Sequence, residues 1–250
     1  MGRIFASFPE LAVIVNGVAN YLVRYLNYDN SILYNLVVSD GGDAINPVET
    51  GAISTPAKPA TEDIQYTFLS FGTLPTNIHA NTSVTAQYAE NYAVRFYGDE
   101  SALLHTEFVR SGQNATEPIG AGIIETPEKE TTPQYTYAYS GWDTSLENIT
   151  EPRSVNAVFE ATLRSYTVRF MNGTELIFSQ IVDYGGNAIY FGDNPTKEST
   201  VQYHYTFSGW TRTEGGEADE NALINITGDT NIYAAYNDRR RKNHIPQLLR

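Results

Sequence analysis

The chain has 250 residues and a formal net charge of −13, with 18 tyrosines, 11 phenylalanines, two methionines and no cysteine. Without cysteine there are neither disulfides nor thiolate metal sites, so any folded unit is held by its own core. Residues 238–250 carry five basic side chains and one acid, which leaves the rest of the chain, with 11 basic and 28 acidic residues, at −17. A body this acidic is a poor general binder of nucleic acid or anionic membrane, and only the basic end suits such a partner.

In chain order, MGRIFASFPELAVIVNG lacks the pattern of a signal peptide: its longest apolar run, LAVIV, is interrupted upstream by Pro9 and Glu10. No stretch approaches the roughly 18 apolar residues of a membrane span, so no membrane partner is expected. Ala6 stands where N-myristoylation needs Ser or Thr. Ile4, Phe5 and Phe8 make this end too apolar for a free terminus and suggest burial in a neighbouring protein. ELAVIV-NG-VANYLVRY then reads as a hairpin whose first strand lengthens the sheet that follows.

From Tyr21 the chain repeats itself. YLVRYLN, YAVRFYG and YTVRFMN begin at Tyr21, Tyr92 and Tyr166, and their Val-Arg-aromatic centres, at Val23, Val94 and Val168, lie 71 and 74 residues apart. SDGG, RSGQ and DYGG follow, then YTFLSF, YAYSGW and YTFSGW, with Phe71, Trp142 and Trp210 in one slot. Each copy closes with a phrase of one length, NIHANTSVTAQY, NITEPRSVNAVF or NITGDTNIYAAY. Four anchors in the same order three times define a tandem repeat.

Each copy reads as a four-stranded β module. Tyr166, Val168 and Phe170 alternate with polar or exposed positions at the period of a half-buried strand. A turn at Asn172-Gly173 leads into LIFSQIVDY, the third strand carries the Trp210 phrase, and TNIYAAY is the fourth. Between strands two and three, prolines at 56, 59, 127, 133 and 195 argue against a long helix. A module of about 70 residues is close to the lower limit for independent folding. One large ring buries about 150–250 Å², worth several kcal/mol at about 25 cal/mol per Å², so Phe71, Trp142 and Trp210 are predicted core residues.

No catalytic constellation is present. His79, His105, His204 and His244 have no second ligand at metal spacing. Glu125, Glu128 and Glu130, and Glu214, Glu217, Asp219 and Glu220, lie in Pro- or Gly-rich insertions that do not recur, which marks them as solvated loops. There is no phosphate loop or nucleophile elbow, so the chain is expected to be non-enzymatic, with no cofactor and no metal. Asn148-Ile149-Thr150 and Asn225-Ile226-Thr227 read as turn chemistry before the closing strand. Arg24, Arg95 and Arg169, between core-facing neighbours, should point outward and pair with acids.

With YTVRF, VDYGGNA, NPTKE, YTFSGW and NITGDTNIYAAY in the third copy, and YAVRF, YAYSGWD and SVNAVF in the second, the chain resembles the Listeria–Bacteroides repeat, also called the internalin B-repeat. The first copy departs most, because Ser70-Phe71 replaces the Gly-Trp pair. The resemblance covers about residues 21–237. It implies β-grasp-like modules, found in bacterial surface proteins and in some phage structural proteins, and carries over no catalytic residues.

The expected fold is therefore mainly β: three tandem small β-grasp-like modules with short terminal docking segments. The expected boundaries are 1–20 for the N-terminal segment, 21–89, 90–160 and 161–237 for the modules, and 238–250 for a basic tail. In that tail Arg239, Arg240, Arg241 and Lys242 would meet an acidic surface while Ile245, Leu248 and Leu249 enter an apolar groove. Neither a leader nor a wall anchor is written in the chain, which points to a structural or assembly component of a phage virion. Its partners would then be other virion or surface proteins, or further copies of itself. The alternatives are an adhesion module of a bacterial surface protein and a carbohydrate- or receptor-binding module using exposed rings.

Overall fold

The computed structural model describes residues 13–15 and 17–241. Its strands are β1 (Val13–Val15), β2 (Val18–Leu26), β3 (Ile32–Ser39), β4 (Ile64–Ser70), β5 (Thr82–Thr85), β6 (Gln87–Tyr97), β7 (Leu103–Arg110), β8 (Tyr135–Trp142), β9 (Arg153–Leu163), β10 (Ser165–Asn172), β11 (Glu175–Asp183), β12 (Tyr203–Thr211) and β13 (Thr230–Arg240). The protein is mainly β, in three mixed sheets. Contacts divide it into two compact units. One runs up to Pro127 and includes Trp142–Ala157; the other holds Glu128–Gly141 and continues from Val158. Among the described residues no helix is long and apolar enough to cross a membrane.

The third copy shows the plan most simply, with its strands in the order β11-β10-β13-β12. Outer pairs are antiparallel hairpins, and the central pair, β10 and β13, is parallel, with Val168 opposite Thr230 and Met171 opposite Tyr233. This is the strand order of a β-grasp sheet, but the segment joining β11 to β12 is irregular. Pro195 is buried there, and no helix forms. The second copy repeats the order as β7-β6-β9-β8, and the first as β3-β2-β5 with β4 on β6.

Alternation places the cores. In β10, Val168 and Phe170 are fully buried and Arg169 is exposed. They pack with Val182, Ala188, Ile226 and Ile232; Val94, Phe96, Val109, Ala115, Ile149 and Val155 form the matching core of the second copy. Val23, Tyr25, Val38, Ala44, Phe71, Ile78 and Ala86 form that of the first.

A glycine-led bridge closes each core. Gly41, Gly112 and Gly185 adopt positive φ (76°, 81° and 78°), and each N–H donates to the carbonyl of the buried Ile78, Ile149 or Ile226. Asn77, Asn148 and Asn225, just before those isoleucines, are left-handed as well. Their N–H groups donate to Asp43 Oδ1, Asn114 Oδ1 and Asn187 Oδ1 at 2.9, 2.9 and 3.0 Å. In all three copies the Asn of the NI phrase therefore bends the chain through a left-handed residue just before the closing strand.

The copies join strand to strand. The end of the first closing phrase and the beginning of the second copy lie in one strand, β6, whose Gln87–Tyr92 segment pairs with β4 and whose Asn91–Tyr97 segment pairs with β7. Between the second and third copies, only Arg164 separates β9 from β10. At the front, β1 pairs with Val18–Asn20 of β2. Those positions correspond to Ala89–Asn91 of β6, where β4 pairs. The front hairpin thus holds the strand position that a preceding copy's third strand would hold.

Candidate functional site

The repeated aromatic slot is built by a β-bulge. In a regular strand, Phe207 and Trp210 would face opposite sides, being three residues apart. The register of β12 on β13 shifts between Phe207 and Gly209, leaving Ser208 as the extra residue, so Trp210 packs on the core while its ring still meets Phe207. Gly209 and Gly141 supply φ of 141° and 136° for this turn of the chain, and in the first copy Ser70 stands in their place after the same shift.

Trp210 packs edge-on against Phe170 (4.9 Å) and Phe207 (5.3 Å) and tilted against Tyr190 (4.8 Å). Trp142 meets Phe96 at 5.1 Å, and Phe71 meets Tyr25 at 5.0 Å. Phe71 is almost wholly buried, whereas both indoles lie at the border of their cores and keep an edge accessible. The Trp142 indole N–H donates to Glu117 Oε1 at 2.9 Å. That bond, with backbone N–H groups of Gly120 and Ile119, holds the Glu117 carboxyl below its ordinary value of 4.5.

A further anchor recurs in the segments between strands two and three: Pro56-x-Lys58-x-x-Thr61, Pro127-x-Lys129-x-x-Thr132 and Pro195-x-Lys197-x-x-Thr200. Each proline is buried. Each threonine hydroxyl accepts the N–H of the residue three ahead, Ile64, Tyr135 or Tyr203. Each lysine lies over the tyrosine that opens the aromatic phrase of the next strand: Lys58 over Tyr66 (3.6 Å), Lys129 over Tyr137 (5.2 Å) and Lys197 over Tyr205 (4.4 Å). Lys129 and Lys197 also reach the closing aromatics Phe159 and Tyr236. The signal for these lysines is the spacing Pro-x-Lys-x-x-Thr, which counting the prolines as helix breakers passes over.

On the third copy this lysine borders a concavity of about 700 Å³ lined by Asn172, Lys197, Tyr205, Glu214, Tyr233 and Tyr236, among others. Asn172, on its wall, makes two hydrogen bonds: Oδ1 accepts the Tyr236 hydroxyl at 2.7 Å, and Nδ2 donates to the Thr196 carbonyl at 2.9 Å. Burial raises the pKa of the Tyr236 phenol. Asn27 makes the same two bonds in the first copy, to Tyr88 (2.6 Å) and Ala57 (3.3 Å). The second copy has Gly98 and Phe159 at these positions, so both partners are absent together.

The remaining predicted residues lie as follows. Arg239 and Arg240 belong to β13, opposite His204 and Tyr203, and the Arg241 N–H donates to the Gln202 carbonyl at 2.8 Å. The closing strand therefore runs past Asn237, because the hairpin with β12 continues to supply backbone partners. Ile4, Phe5, Phe8, Lys242, Ile245, Leu248 and Leu249 lie outside the described residues. Arg95 pairs with Asp63 (2.7 Å) and donates to the Glu62 carbonyl. The Asp63 hydrogen bond raises its pKa. His79 contacts Asp40 at 2.5 Å. Among the described residues no group of three His, Asp or Glu side chains is placed to hold a metal ion.

No family model matches the chain, and no curated protein does. Among solved structures, the chain is similar to Streptococcal High Identity Repeats in Tandem (SHIRT) domains 3–4 from a cell surface protein, with 16% identity and a TM-score of 0.27. The match covers 59% of this chain and 97% of the other.

Proposed function

We propose that this chain is a non-enzymatic, tandem-repeat adhesion module of a bacterial surface protein, acting as a spacer and a contact surface. The observation that carries the reading is repetition of a whole folding plan. Three copies share one strand order, each has its own core, and strand follows strand with no long linker between them. Repeats of this kind set a length and present like faces at intervals, which suits display better than turnover. The sequence resemblance to the internalin B-repeat supports the same reading. The acidic surface favours basic partners through complementary potential.

The test is brief protease treatment of intact cells of the source organism, followed by identification of the released peptides. Recovery of peptides from residues 17–241 with the cytoplasm still sealed is the expected result. Recovery only from purified phage particles would overturn the surface reading in favour of a virion component.

A further inference from the structure

Strand direction points to a second property, independent of where the chain is displayed. We propose that each module is a load-bearing clamp, built to resist tension drawn along the polypeptide.

In the third copy the chain comes in at the start of β10 and leaves at the end of β13, and these two strands are parallel neighbours. Tension along the chain pulls β10 toward its beginning and β13 toward its end, so the pair is loaded lengthwise. The four register pairs from Val168–Thr230 to Met171–Tyr233 lie across this load. Bonds in a parallel ladder are evenly spaced, so they share the load and must yield together. Sliding is further opposed by Val168, Phe170 and Ile232, fully buried side chains that would have to pass one another.

The arrangement is the same in every copy. β2 and β5 are parallel from Val23–Thr82 to Leu26–Thr85, and β6 and β9 from Val94–Arg153 to Tyr97–Asn156. Each clamp lies over fully buried residues: Val23 and Tyr25 in one, Val94, Phe96 and Val155 in the other. Antiparallel hairpins, which unzip bond by bond when their open ends are drawn apart, form the outer pairs. The weak direction is therefore kept off the line of force. Between the first two copies the load passes within the single strand β6.

Because the chain has no cysteine, introduced pairs fix the axis of a single-molecule pull. In the full chain, Ser165→Cys with Asn237→Cys loads the β10–β13 pair lengthwise. Ser165→Cys with Asp183→Cys opens the β10–β11 hairpin at its terminal register pair. All three positions are exposed, and urea midpoints matching the parent establish that both variants fold. At one loading rate, the lengthwise pull is expected to rupture at roughly twofold or more the force of the crosswise pull, because forced unfolding reads the unfolding barrier along the chosen axis. Equal forces, or a lower lengthwise force, would overturn the clamp. Neither result bears on surface display, which protease treatment of cells tests separately.

Discussion

The bond between Tyr236 and Asn172 shows how much one side chain contributes to these small cores. A partly buried neutral hydrogen bond contributes about 1 kcal/mol net. Tyr236→Phe should therefore lower the unfolding free energy by about that amount, read from urea denaturation. Asn172→Ala removes this bond and the one to Thr196, and should cost roughly 2 kcal/mol. In the Asn172→Ala background, Tyr236→Phe should then be close to neutral, since the hydroxyl has already lost its acceptor. A full second loss in the double variant would show that the hydroxyl acts through some other group. The second copy, with Phe159 and Gly98, already resembles that double variant. At the other end of the titration scale is Glu117, whose pKa is lowered chiefly by the Trp142 indole N–H. A lowered carboxylate pKa contributes stability that is present above the ordinary 4.5 and is lost as pH falls through the folded value. Trp210→Phe, which installs the ring the first copy carries at Phe71, leaves Trp142 as the only indole. Its fluorescence should titrate with a midpoint below 4.5, and Glu117→Gln should abolish that step.

Elements depend on a few backbone positions that side-chain patterns do not fully expose. Asn225 holds φ at 55° while its N–H bonds Asn187. Asn225→Ala should cost roughly 1 kcal/mol, because a Cβ without a local polar partner is strained in the left-handed region. Asn225→Gly should cost less, since glycine visits positive φ freely. The reverse order in thermal denaturation would rule out backbone strain as the reason for asparagine. This turn is legible in the sequence, because Asn-Ile recurs three times before an alternating strand. The four strands of each copy are legible for the same reason: alternation repeats around aromatic anchors. The bulge is not. Alternation alone puts Phe207 and Trp210 on opposite faces, and only the register on β13 shows Ser208 stepping out of phase. The Pro-x-Lys-x-x-Thr anchor is present in the sequence, but its lysines gain meaning only once the fold sets them over Tyr66, Tyr137 and Tyr205. Continuity of β6 is hidden too, because periodicity marks where a copy ends and does not reveal whether the strand ends there.

At the scale of the whole molecule, charge decides how stability responds to salt. Two effects oppose each other. Screening weakens attractive pairs such as Arg95–Asp63 at 2.7 Å and Arg95–Glu62 at 3.8 Å, which lowers stability. It also weakens repulsion among 29 acidic side chains that face only 16 lysines and arginines, which raises it. Exposed pairs contribute about 0–1 kcal/mol each, and both Asp63 and Glu62 are more than half exposed. Repulsion, by contrast, is summed over a body carrying −17 outside residues 238–250. At about 0.01 M salt the screening length is about 30 Å, long enough for acids throughout a module to repel one another; at about 1 M it is about 3 Å. The net effect should therefore be stabilising, and the urea midpoint should rise with sodium chloride over this range. Chloride is the right anion for the test, because sulfate strengthens burial by exclusion and would raise the midpoint regardless of charge. Arg95→Gln separates the two contributions: its deficit against the parent should shrink as salt rises, while both proteins gain overall. A midpoint that falls with chloride would mean that local pairs dominate, and that the acidic surface is balanced where it lies rather than held apart by the cores.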